Sequence, residues 1–110
     1  MNEPVSGINE LKKNEGKSVQ VKGMLLPSDV MKRIPVRIQL NDSALVYLGT
    51  FDPASGLEFD KLETYYNKNI LIKGIVYFNH IPSGYEIVSR LNGPYLVDIK
   101  DIQFSEELDH

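Results

Sequence analysis

The chain has 110 residues, 42% hydrophobic and 25% charged, with a formal net charge of −3 and no cysteine. That length suits one domain, which buries roughly two-thirds of its unfolded surface. The missing cysteines exclude a disulfide framework, thiolate metal sites and thiol nucleophiles, and the acidic balance argues against tight non-specific binding to nucleic acid.

The start, Met1 to Pro4, has no basic run followed by an apolar run, the mark of a secretory leader. No apolar stretch approaches the ~20 residues that span a bilayer. A soluble, cytoplasmic protein with no membrane partner is expected. Residues 1–7 read as a flexible N-terminus, and Ile8–Asn14 as one or two helical turns ending before Gly16.

Residues 17–25 (KSVQVKGML) and 68–76 (KNILIKGIV) echo each other. Both alternate polar and β-branched positions, as half-buried strands do, and then reach a lysine and a glycine. Gly23 and Gly74 fall inside their strands, where glycine marks a bulge or tight bend. Two bent strands point to a sheet curling into a small barrel.

Between the echoes, Val36, Ile38 and Leu40 share one face of a strand over 35–40. Asn41-Asp42-Ser43 supplies turn chemistry, and 44–51 returns as the partner strand. Asp52 to Gly56 breaks that strand. Ser55 precedes Glu58 at capping-box spacing, and Leu57, Leu62 and Tyr65 or Tyr66 recur at roughly helical spacing, so a short helix is expected over 57–66. After the second echo come a turn at 81–84, a short strand at 85–88, a break at 92–94 and a last strand over 95–102.

Five principal strands with a helix between the third and fourth is the order of an all-β, five-stranded Greek-key barrel. The run from Ile8 through Gly16 and Lys17 to Gly23 resembles the entry of OB-fold domains of the small bacterial anticodon-binding-like type, a helical turn leading through Gly-Lys into a curved strand. Ile38, Leu40 and Asp42 are similar to the end of that family's second strand, and Lys68 to Gly74 to its fourth. The turn after Asp42 lacks the usual glycine, which leaves the hairpin register open. The resemblance spans roughly residues 8–103. It implies an OB-fold domain over 8–104 with a flexible acidic tail at 105–110. It also implies a binding face on the second and third strands, flanked by the loops after the first and fourth. Fold alone does not choose among nucleic acid, saccharide and protein ligands.

Single-strand binding needs rings for base stacking and cations for phosphates. On the sheet these are Arg37 and Tyr47, which face each other if the hairpin loop is the three residues 41–43. A two- or four-residue loop turns Tyr47 into the core. Lys32 and Arg33 lie in the loop after the first strand, and Tyr85 and Arg90 in the segment after the fourth, with His80 nearby. The plain alternatives are solvated loop charges and cross-strand packing for the tyrosines. Lys22 and Lys73 read as solvated face lysines. Of Tyr77 and Phe78, alternation turns one ring in and one out.

No local arrangement of serine, histidine and acid supports catalysis, and no glycine-rich phosphate loop or metal-ligand spacing is present. The expectation is a non-catalytic module without cofactor. Single-stranded nucleic acid is the first candidate partner and a protein is the alternative.

Overall fold

The computed structural model describes residues 4–78, 82–85 and 93–105. They form a helix α1 (Ile8–Lys13) and strands β1 (Ser18–Leu26), β2 (Arg37–Gln39), β3 (Leu45–Leu48), β4 (Asn69–Tyr77) and β5 (Tyr95–Phe104). The strands close into a barrel in the order β1-β2-β3-β5-β4, the all-β five-stranded architecture expected. β3 and β5 run parallel and every other pair is antiparallel. Among the described residues every strand therefore has a paired neighbour on both sides.

Alternation decides what enters the barrel. Val21 and Leu25 of β1, Ile38 of β2, Val46 and Leu48 of β3, Ile70, Ile72 and Val76 of β4, and Leu96, Ile99 and Ile102 of β5 form one core cluster. Leu11 of α1 and Leu62 join it, both fully buried. Among the described residues no polar or charged side chain is buried.

The two echoed strands are direct neighbours, with Val19 opposite Gly74 and Gly23 opposite Ile70. At Gly23 a Cβ would collide with the Gln39 carbonyl oxygen and stand 2.9 Å from Ile38 Cγ1. There β1 passes from its ladder with β4 to its ladder with β2, at Met24. At Gly74 a Cβ would stand 2.9 Å from both Leu96 Cγ and the Val97 oxygen. The β4–β5 register breaks at this point, between Lys73 and Ile75. Asp98 takes φ +52° on the opposite strand, and its N–H donates to Thr50 Oγ1 (3.0 Å). Each glycine is thus a place where a second backbone crosses too close for a side chain.

The hairpin loop is three residues long. Arg37 pairs with Tyr47, Ile38 with Val46 and Gln39 with Leu45. Ser43 supplies the left-handed residue (φ +68°) that glycine would otherwise occupy. Asp42 in this loop also begins α1. Its Oδ2 accepts the Ile8 N–H (2.9 Å), and its Oδ1 accepts that of Ala44 (3.2 Å). Gly7, at the N-cap itself, has no side chain to do so.

Those donors, Ile8 first and then Ala44, hold the Asp42 carboxyl below its ordinary value. A carboxylate with a depressed folded-state value contributes stability above its unfolded value near pH 4 and loses it as pH falls through the folded one. Asp42→Asn is therefore expected to lower the melting temperature at pH 6. Melts taken between pH 5 and 2.5 should then converge on wild type as the acid limb is reached. A constant gap across that range would detach the loop carboxylate from the acid response.

Three expectations change. Residues 57–66 form no α-helix but two 3₁₀ turns, Phe59–Lys61 and Glu63–Tyr65, joined at Leu62. Every backbone bond in the segment spans three residues. A stretch this short has little to offset helix nucleation. Its rings also leave in different directions, Phe59 against Phe51 and Tyr65 against Phe104 (both 4.7 Å), while Leu62 enters the core. Nor do Ser55 and Glu58 make a capping box. Ser55 Oγ accepts the Leu57 N–H (3.1 Å), Glu58 pairs with Lys61 (3.2 Å), and Asp52 receives the Ala54 N–H (3.0 Å). Finally, Pro4–Gly7 belong to the folded body instead of preceding it. Val5 is buried and bridges Val21 in parallel, exchanging bonds with Gln20 and Lys22. Most of the strand expected at 85–88, and the tail beyond Ser105, lie outside the described residues.

Candidate ligand-binding face

The hairpin register turns Arg37 and Tyr47 outward, because Ile38, Val46 and Leu48 take the core positions. The row continues round the barrel. Tyr47 pairs with Tyr95 of β5, and Tyr95 with Tyr77 of β4. The Tyr47 and Tyr95 ring centroids are 5.5 Å apart, and Tyr85 stands 6.3 Å from Tyr77. At the usual strand spacing, Arg37 to Tyr77 covers about 14 Å along the sheet.

The members of this row are not equally available. Tyr95 is only 4% exposed and serves as its floor. Tyr47, Tyr77 and Tyr85 are half-buried. Gly93 presses on Tyr47, since a Cβ there would stand 3.0 Å from Tyr47 Cε2. Pro94 fixes the same strand by accepting the Tyr47 N–H (2.9 Å). Tyr47 is thereby held between a backbone and a second ring, which limits its rotamer freedom.

Arg37 is differently occupied from what its place in the sequence suggests. Its Nη1 donates to the Pro27 carbonyl (2.9 Å) and, at longer range, to that of Pro35 (3.5 Å). Through Nη1 it ties together the two ends of the β1–β2 loop at the foot of the tyrosine row.

That loop is a small finger. Asp29 and Ile34 bridge with two backbone bonds (2.8 and 2.9 Å), closing a four-residue tip of Val30, Met31, Lys32 and Arg33. Asp29 Oδ1 also accepts the Lys32 N–H (3.2 Å), and Arg33 adopts φ +56° to complete the turn. All four tip residues are exposed, Val30 by 83% and Met31 by 93%. The tip thus sets two apolar side chains beside two cations. With Asp29 as its only acid, residues 27–36 carry a net positive charge on a chain of net −3.

The structure therefore joins Arg37, Tyr47 and the Lys32–Arg33 loop at one end of the row and brings Tyr85 to the other. Arg90 and His80 lie outside the described residues. Lys73 is exposed on the β4 face, as expected. From the sequence Tyr95 reads as added aromatic surface, whereas it is buried and joins this row, and the two apolar tip residues were missed. Tyr95 and Tyr77 belong to the row only because β5 inserts between β3 and β4, which no local pattern announces. Val30 and Met31 sit where strand alternation has lapsed, so their type carried no directional signal.

Two other features lack this convergence. Lys100 Nζ bridges Asp52 (3.0 Å) and Asp98 (3.2 Å), and these partners, Asp52 first, raise its pKa. This network closes the β3–β5 seam where Asp98 is strained. A shallow hollow bordered by Pro4, Lys22, Leu71 and Phe104 opens on the outer side of β1 and β4. Among the described residues no group of acids and histidines is placed to hold a metal ion. No helix of the described residues is long and apolar enough to cross a membrane. Comparison with protein-family models, curated proteins and solved structures finds no match to this chain.

Proposed function

We infer that this domain is a non-catalytic OB-type binding module that takes single-stranded nucleic acid along its tyrosine row. The observation that carries the reading is the continuity of rings and cations. Half-buried Tyr47 and Tyr77 flank Tyr95, Tyr85 stands beside Tyr77, and the finger bearing Lys32 and Arg33 is tied to the same row by Arg37. Ring faces accept any base, and cations neutralise the backbone. With two exposed cations on the finger of a net-negative chain, the binding is weak and sequence-tolerant.

The test is a fluorescence-anisotropy titration with labelled oligothymidylate and oligouridylate across salt concentrations. Two neutralised phosphates give a slope of log K on log salt of about −1.4. Binding that ignores salt, or none at about 50 mM salt, removes the reading.

A protein partner is the second reading, favoured by the acidic balance of the chain. A stoichiometric protein retained after nuclease treatment, with no oligonucleotide affinity, would replace the first reading with this one.

A further inference from the structure

We propose that Met31, backed by Val30, is a wedge that enters between neighbouring bases of a bound strand while Lys32 and Arg33 hold the flanking phosphates. The proposal rests on the nucleic-acid reading above and assigns the contact that the finger makes. Met31 and Val30 are the most exposed large hydrophobic residues described, and they are adjacent in the chain. They stand on a tip that is closed beneath by the Asp29–Ile34 bridge and anchored at its foot by Arg37, so the tip is presented rather than trailing.

Two side chains on a narrow turn are too small to seed a protein interface, which needs about 800 Å² per partner. They do match the size of a gap between two bases. In minor-groove binders, apolar side chains such as methionine insert between base steps of a duplex and unstack them. The cations here are the next two residues, and consecutive Cα atoms are about 3.8 Å apart. A base step entered by Met31 therefore has its own phosphates within reach of Lys32 and Arg33. Charge complementarity selects an anionic strand as the occupant.

Unstacking is directly readable. A roughly 12-nucleotide single strand carries one 2-aminopurine between adenines, where stacking quenches its fluorescence, and a 5′ dye for anisotropy. Wild-type protein at saturation is expected to raise the 2-aminopurine signal several-fold. Met31→Ser should still bind, within about tenfold in affinity, but abolish most of that rise at saturation. Met31→Leu should restore it. Because Met31 is exposed, both variants should melt as wild type does.

Binding without a fluorescence rise, or an undiminished rise with Met31→Ser, overturns the wedge and leaves the nucleic-acid reading standing. Absence of any oligonucleotide anisotropy change overturns both. Capture of a protein with no oligonucleotide binding does the same.

Discussion

Gly23→Ala is expected to destabilise the barrel by about 2–3 kcal/mol, lowering its melting temperature by roughly 10–20 °C. The added methyl group has no free volume. It would meet the Gln39 carbonyl oxygen, which is backbone, and Ile38 Cγ1, which is core. Relief requires β2 to move away from β1 just where β1 changes partner, between its ladders with β4 and β2. An overpacked site of this kind costs strain that a rotamer change cannot remove. Urea and thermal unfolding of the purified variant read the loss. Gly74→Ala should cost less, because its backbone obstacle, the Val97 oxygen at 2.9 Å, stands farther from the added methyl group than the Gln39 oxygen does at Gly23. A Gly23→Ala protein as stable as wild type would show that the close crossing does not govern closure.

The second large effect is functional. Reversing both tip cations, Lys32→Glu with Arg33→Glu, is expected to reduce oligonucleotide affinity on the order of 10²-fold at about 50 mM salt and to flatten the salt slope toward zero. Both side chains are exposed and neither enters the core, so the melting temperature should stay within a few degrees of wild type. Anisotropy and thermal melts on the same preparation separate the two. Equal affinity before and after reversal would place the phosphate contacts elsewhere, since Arg37 spends its Nη1 on the Pro27 and Pro35 carbonyls. Tyr47→Ala should cost about 1–3 kcal/mol of binding if one base stacks there.

Much of this architecture can be read from residue order. Alternation located β1, β2 and β4, because a two-residue period has few competing interpretations when one face is buried, and turn and break residues bracketed β3 and β5. The two echoed glycines signalled bends, and both prove to be crossings of close backbones. The hairpin register followed once the loop was taken as three residues. What remained open was whether Ser43 would accept a left-handed conformation without glycine, and it does.

Reading failed where spacing was sparse. Leu57, Leu62 and Tyr65 gave too few points to separate an α-helix from consecutive 3₁₀ turns, and the aromatic contacts to Phe51, beyond the end of β3, and to Phe104 of β5 decided the outcome. The site was half legible. Arg37, Tyr47 and the loop cations were recognisable by type. The orientation of the guanidinium was not, because its acceptors are main-chain carbonyls that any residue would offer. Tyr95 joined the row through a parallel pairing across 48 positions of sequence, which has no short-range trace.

The anchoring of the β1–β2 finger has a consequence for how such a domain diversifies. The Asp29–Ile34 bridge and the Arg37 tie lie below residues 30–33, so those four positions form an exchangeable cassette on a fixed mount. Replacing the cassette leaves the core cluster untouched. The tip can therefore change its chemistry without the barrel having to refold around each new choice.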